Sequence, residues 1–284
     1  MSDRRLLASN GRTADIALKG HVDADAFVTP EPRRLTRNAW LLRAPGGEAD
    51  RECLWGDPFD AIETRGAFVF GRAVKDGYVG WLPVEALGAP SEASHMVAVR
   101  TTWAYRAPDF KTGPWLALHM TSRVAVTSVE NGWAALEDGE LFVPERHLRP
   151  VDHPLEQIAA ARAFLGTPYV WAGNSGFGLD CSGLVQVTMN AAGCTCAGDS
   201  DLQEEMPGQN LSPEDELLPG DLMFWDGHVA IATGQGTLIH ANAHHMAVVE
   251  EPVDAAIGRI AASETGPVTS RLRPERRPLF GTRG

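Results

Sequence analysis

Only four cysteines stand in 284 residues, and none belongs to a CxxC pair or to a Cys/His spacing of the zinc type. Cys53, Cys181, Cys194 and Cys196 therefore do not describe a disulfide scaffold, and so few thiols in so long a chain suit a reducing compartment. No stretch approaches the roughly 18 apolar residues of a membrane-spanning helix. The start, MSDRRLLASNGRTADIALKG, lacks the apolar run of about 7–15 residues that marks a secretory signal. A cytoplasmic protein with no membrane partner is the expectation. Basic charge is also short: 25 Lys and Arg face 37 Asp and Glu, a net charge of −12. A field of that sign repels phosphate backbones and anionic wall polymers, so nucleic acid is not an expected partner. From Val151 onward the imbalance deepens to 7 basic against 17 acidic residues. Hydrophobic residues at 44% and charged residues at 22% exclude whole-chain disorder.

Glycine and proline are plentiful, 29 and 19, which suits a turn-rich, partly all-β chain better than a helical bundle. Length alone predicts about two domains. Residues 1–30 have no clear period and read as a loosely ordered arm with at most one short helix. An internal repeat follows. Arg43-Ala44-Pro45 recurs as Arg106-Ala107-Pro108, and Asp76-Gly77-Tyr78-Val79-Gly80-Trp81-Leu82-Pro83 recurs loosely as Asp138-Gly139-Glu140-Leu141-Phe142-Val143-Pro144. Short β-rich runs such as 67–70 and 123–126 are separated by Asp-Gly and Asn-Gly turns, for example Asn131-Gly132. The pattern resembles two bacterial SH3-like β-barrels, over 31–90 and 91–150. Six of the eight tryptophans lie before residue 150, and most are expected to fill those barrel cores.

Beyond a linker at His153-Pro154 the periodicity becomes helical. A helix is expected over 155–165, ended by Gly166, and a second over 181–192, ended by Gly193. Strands at 221–225, 228–233 and 237–242 follow, divided by Asp226-Gly227 and Gly234-Gln235-Gly236. Helices first and an antiparallel sheet after give an α+β domain over 151–284.

Chemistry concentrates in that domain. Cys181 opens a helix after Gly-rich extended sequence. There the helix dipole and free N–H groups favour a thiolate nucleophile and can hold an oxyanion. The plain alternative, a buried structural cysteine, is weakened by the flanking Asp180 and Ser182. If Gly234-Gln235-Gly236 is a three-residue loop, Thr233 pairs with Thr237 and every paired position sums to 470. His228, Ala230, His240 and Asn242 then share a face, with His240 the diagonal neighbour of His228 at about 7–8 Å between backbones. One imidazole can act as base and the other as its orienter. Asn242 competes for the orienting role if the register slips. His244 and His245, in a turn, are better read as surface residues. A zinc site built on Cys181, His228 and His240 lacks a fourth ligand, so no metal is expected.

Four ordered blocks carry a family resemblance: Gly166-Thr167-Pro168-Tyr169-Val170-Trp171-Ala172-Gly173, Asp180-Cys181-Ser182-Gly183-Leu184, Pro219 to Trp225 with Gly227-His228-Val229-Ala230-Ile231, and Ile239-His240-Ala241-Asn242. Residues 153–250 resemble the NlpC/p60 family of papain-like cysteine peptidases. With the SH3-like units, the chain is similar to γ-D-glutamyl-L-diamino acid endopeptidases over about residues 35–250. The resemblance implies Cys181 as nucleophile, His228 as base and His240 as the orienting third member. It implies that Asp180 and Ser182 receive the free amine of an N-terminal L-Ala, that Tyr78 closes that pocket, that Trp171 walls it and that Tyr169 aids the oxyanion. One departure is visible. Where the family pattern has Pro-Arg-Asp-Ser-Asp-x-Gln, this chain reads Ala197-Gly198-Asp199-Ser200-Asp201-Leu202-Gln203, so Gly198 replaces the arginine. Cys194 and Cys196 beside it read as small core or loop residues. The expected activity is hydrolysis of the bond between the D-Glu γ-carboxyl and meso-diaminopimelate or L-Lys in short murein peptides, as in recycling, with no cofactor. A papain-like amidase or acyltransferase, or a non-catalytic peptide-binding protein, are the alternatives.

Overall fold

The computed structural model describes residues 3–137, 139, 141–263 and 265–279. Asp138 and Glu140, two signposts of the second repeat, lie outside the described residues. The chain divides into two units: Met1–Val97 with Thr102–Leu148, and Ala98–Thr101 with Arg149–Gly284.

Among the described residues, the regular elements of the first unit are strands and one-turn 3₁₀ helices. Its main sheet has seven strands in the order Ala49–Cys53, Ala39–Leu42, Val79–Pro83, Phe68–Ala73, Pro58–Arg65, Glu31–Leu35 and Leu87–Gly88. The repeat is real at element level. Pro83 and Pro144 each cap a one-turn 3₁₀ helix, Val84–Ala86 and Glu145–His147, and each helix leads into a short strand. Asn131-Gly132 forms the expected tight hairpin, with φ of 51° and 80°, and Glu130 pairs with Trp133 across it. The two matching barrels are not confirmed. Residues 95–150 pair as three small sheets instead of one continuous set.

Two expectations fail here for the same reason: burial is decided by distant partners. Trp55 and Trp81 are buried, but Trp40, Trp103 and Trp115 are exposed, Trp115 lying 3.9 Å beneath the Arg106 guanidinium as a surface cation–π pair. The first 30 residues are not loose. Thr13–Asp15 pairs in parallel with Ala26–Val28, and Ala8, Leu18 and Val28 pack on a cluster of Ile62, Phe70, Val79 and Trp81. Arg4 pairs with Asp50, and Arg12 with Glu63.

Among its described residues the second unit carries four α-helices: α1 (Gln157–Arg162), α2 (Cys181–Ala191), α3 (Ser200–Glu204) and α4 (Val253–Ala261). α1 is shorter than its periodicity suggested: it starts late because Glu156 caps it by accepting from the Ile158 and Ala159 N–H groups, and it ends at Arg162. The sheet has six strands in the order Gly208–Asn210, Ser270–Pro274, Leu222–Trp225, His228–Ala232, Thr237–Asn242 and Ala247–Pro252. All its neighbours are antiparallel. Ile231 pairs with Ile239 and Ala232 with Leu238, the expected register. Met223, Trp225, Ala230, Ala232 and Leu238 pack against Ala256 and Ile260 of α4. The alternate residues Val229, Ile231, Ile239 and Ala241 are also buried and face the other way, where α2 packs on the same two strands. The sheet is thus covered on both sides, and its polar residues stand out.

Candidate active site

α2 begins at Cys181 because Asp180 stops it there. Asp180 is the N-cap, its carboxylate accepting from the Gly183 N–H at 2.6 Å, from the Ser182 hydroxyl at 3.0 Å and from the Ala172 N–H at 2.9 Å. All eleven residues of the helix are buried. The third of those contacts holds Ala172 in the left-handed region at φ 62°, a conformation that costs a non-glycine residue about 1 kcal/mol or more. The loop before the nucleophile is therefore tied to the helix start by a single carboxylate. Both oxygens of Asp180 are engaged within the chain, and so is the Ser182 hydroxyl.

The Cys181 thiol sits among the N–H groups of Val229, Ser182 and Cys181 itself, which draw its pKa down. Burial outweighs them, together with the negative charge of Asp180, and the thiol is pushed up to about 12. This corrects the expected resting thiolate. Desolvation penalises the charged sulfur more than the helix start rewards it.

His228 opens its strand immediately after Asp226-Gly227, with Gly227 at φ 67°. Its ring packs on Trp225, centroids 5.6 Å apart. Its Nε2 lies 2.9 Å from Nδ1 of His240, which is fully buried. Burial, with the neighbouring His240 and Arg259, pushes His228 down to about 3, so the imidazole is neutral and able to accept a proton. His240 is lowered by the same burial, against the pull of Glu251. The Val229 N–H at the Cys181 sulfur places the His228 end of this strand beside the nucleophile. The structure thus brings His228 and His240 into contact and sets Cys181 against Val229, the next residue of that strand.

Asn242 does not compete. Its Oδ1 accepts from the His245 N–H at 2.9 Å and contacts His245 Nδ1 at 3.0 Å, pinning the turn that follows the strand. Tyr169 is half-buried, and burial with the nearby charge of Asp180 pushes its phenol up, so it stays a proton donor. Trp171 is 71% exposed beside this loop, and Phe177 is 57% exposed. Tyr78 lies in the first unit, fully buried, its ring 5.4 Å from the Arg51 guanidinium. The loop at Gly198 is held without an arginine. Gln203, buried on α3, donates to the carbonyls of Ser182 at 2.9 Å and Ala197 at 3.0 Å, while Gln186 of α2 donates to those of Cys196 and Ala197. Cys194 and Cys196 are buried and form no disulfide, as expected of small core residues.

A neutral imidazole aligned by a second imidazole, beside a thiol at a helix start, can take the thiol proton and release a sulfur nucleophile onto a carbonyl. Residues 166–259 match the NlpC/P60 family, and residues 41–87 match the bacterial dipeptidyl-peptidase SH3 domain. The chain carries an NlpC/P60 peptidase domain preceded by a bacterial SH3 domain, and it is a cysteine hydrolase. It is 28% identical to a gamma-D-glutamyl-L-lysine dipeptidyl-peptidase of Bacillus cereus, over 76% of this chain and 74% of that protein. The protein of the same name from Bacillus subtilis is 31% identical over 58% of this chain and 60% of that one. Dipeptidyl-peptidase 6 of Lysinibacillus sphaericus is 30% identical over 53% and 61%. In fold, the chain is similar to a crystal structure of an NlpC/P60 family protein from Bacillus cereus, with a TM-score of 0.70 and 21% identity, covering 86% of this chain and 99% of the other.

Sequence reasoning missed two members of this NlpC/P60 site. Glu251 and Arg259 stand behind His240, and Glu251 lies just past the end of the recognised motifs. The signal was the acidic pair Glu250-Glu251 at the end of a strand opposite 237–242, followed by an arginine eight residues on.

Proposed function

We propose that this enzyme hydrolyses the bond between the γ-carboxyl of D-Glu and the following diamino acid, L-Lys or meso-diaminopimelate, in murein peptides that begin with a free L-Ala. The observation that carries this reading is the His228–His240 contact on the strand whose Val229 N–H meets the Cys181 sulfur, in a chain similar to enzymes named for a γ-D-glutamyl-L-lysine dipeptidyl activity. Cys181 attacks the γ-carbonyl and His228 takes its proton. The diamino acid leaves as the free amine, and water then hydrolyses the thioester. Release of a dipeptide requires that the enzyme read the substrate's amino end. A free α-amine is cationic, and Asp180 and Ser182 are the groups assigned to it, with Trp171 as a wall and Tyr169 as an oxyanion donor. Four buried cysteines that form no disulfide suit a reducing compartment, which agrees with a place in the recycling of imported wall peptides.

The test is direct. Incubation with L-Ala-γ-D-Glu-L-Lys and with its diaminopimelate counterpart is expected to release the free diamino acid and the dipeptide. Acetylating the L-Ala amine is expected to lower kcat/KM at least about tenfold, since a hydrogen bond to a charged group contributes roughly 1.5–3 kcal/mol. Equal rates on free and acetylated peptides would remove the amine requirement and leave a general murein endopeptidase.

A further inference from the structure

Behind the two histidines stands a third polar layer. His240 Nε2 lies 2.7 Å from Glu251 Oε1, and the same oxygen accepts from Arg259 Nη2 of α4. Glu251 is reached from the strand Ala247–Pro252, where it pairs with Leu238 and so shares the face that carries His240. The contacts fix which nitrogens carry protons. Burial pushes the Glu251 carboxyl upward, but the hydrogen bond from His240 and the charge of Arg259 bring it below its ordinary range. It is therefore an acceptor only, and His240 must present Nε2–H to it. A neutral His240 then has an unprotonated Nδ1. That atom lies 2.9 Å from His228 Nε2, so His228 must present Nε2–H in turn. The proton of neutral His228 is thereby placed on Nε2, and its Nδ1 is left bare. Nδ1 is the one ring nitrogen of His228 not used by His240.

We infer that Glu251, held by Arg259, is a positioning residue that sets the tautomers of His240 and His228 in series, so that the nitrogen His228 presents to the Cys181 thiol is always the basic one. In the attack, the Sγ–H bond breaks and its proton passes to His228 Nδ1 as Sγ bonds to the carbonyl carbon. The imidazolium formed donates from Nε2 to His240, and His240 donates from Nε2 to the Glu251 carboxylate. No further proton moves. The anionic end of the row, reached through a buried neutral ring, stabilises the cation formed at the other end. When the tetrahedral centre collapses, the proton on Nδ1 passes to the leaving amine and the row returns to its starting state. Arg259 holds the carboxylate in place and keeps it ionised. Without Glu251, the Nδ1–H and Nε2–H forms of His240 become nearly equal in energy, and part of the enzyme presents an N–H to the thiol.

The inference rests on the cysteine-hydrolase chemistry above, and its test separates the two. Glu251→Gln can leave a carbonyl oxygen where Oε1 stands, which keeps the tautomers but removes the charge. Glu251→Leu removes both. On L-Ala-γ-D-Glu-L-Lys, kcat is expected to fall about tenfold for Glu251→Gln and about a hundredfold for Glu251→Leu, with KM within about threefold of the parent. Nitrogen NMR of the 15N-histidine-labelled full chain reads the tautomers with no substrate present. The parent and Glu251→Gln should show both rings protonated at Nε2, and Glu251→Leu should show mixed forms. Unchanged tautomers in Glu251→Leu, or a kcat within about twofold of the parent, would overturn the inference. A parent that shows the predicted tautomers but does not cleave the peptide would overturn the substrate reading and leave the row intact. If Glu251→Leu does not fold, Glu251→Gln with Nδ1-protonated rings is the overturning result.

Discussion

Cys181 is pulled in two directions. Its place at a helix start favours the thiolate, and its burial beside Asp180 favours the thiol. Burial is the larger effect, and with His228 held neutral the resting pair is thiol and imidazole. Deprotonation then belongs to the reaction itself, when substrate replaces the surrounding medium. Alkylation of Cys181 by iodoacetamide is expected to be slow near pH 6 and to climb into the alkaline range. An early plateau in that pH–rate curve would mean a resting ion pair. Cys181→Ala and His228→Ala should each remove turnover by at least about 10⁴-fold, because nucleophile and base act as a unit. His240→Ala should leave a larger remainder, since it acts through His228.

At the scale of elements, the start of α2 is the most constrained place in the second unit. Gly183 lies in the first turn of the helix, where alanine would normally be preferred by up to about 1 kcal/mol. Here a Cβ would stand 2.2 Å from the Gly173 carbonyl oxygen and 2.7 Å from Asn174 Oδ1. Neither can retreat, because Gly173 belongs to the loop tied down by Asp180 and Asn174 accepts no displacement without breaking its 3.0 Å bond to Gln186. Gly183→Ala is expected to cost about 2 kcal/mol or more by overpacking, read as a lower Tm of the second unit together with a loss of activity. This corner was legible in the sequence because its determinants are local: Asp180 as cap, Gly193 as stop at φ 74°, Asp226-Gly227 and Gly234-Gln235-Gly236 as turns that fix the strand register. What lay far apart in sequence was not legible. The strand Ser270–Pro274 joins the sheet beside Leu222–Trp225, and its Arg273 binds the buried Asp221 through two hydrogen bonds, yet neither residue announces the other. The first 30 residues hide their order for the same reason. Their strands are three residues long, too short for a period, and the residues they pack on, Ile62 to Trp81, lie in the sheet that follows. Glu251 was missed because a carboxylate two layers behind a nucleophile has no motif of its own.

Across the whole molecule, buried histidines set the acid limit of stability. His119 in the first unit is fully buried and pushed down to about 4 by burial. His228 in the second is pushed down to about 3, and His240 is also lowered. In an unfolded chain each would titrate near its ordinary 6.5. Between about pH 6.5 and these lowered values the unfolded chain binds more protons than the folded one. Stability therefore falls as pH falls through that window, and the contribution is fully present only above about pH 6.5. For His119 alone, a drop from 6.5 to about 4 corresponds to roughly 3 kcal/mol when fully expressed. The carboxylates held low by arginine, such as Asp50 and Glu63, act in the same direction but only below about pH 4.5, so the two groups separate on the pH axis. Denaturant unfolding at pH 7, 6 and 5 should show a falling midpoint well before any carboxylate protonates. Because histidines of both units contribute, a protein that unfolds in two steps should show both midpoints falling. His119→Met removes one titrating ring from the first unit only. It is expected to flatten the pH dependence of that unit's transition and leave that of the second unchanged, whatever it costs at pH 7. An unflattened slope in His119→Met would show that His119 is protonated as readily in the folded chain as in the unfolded one.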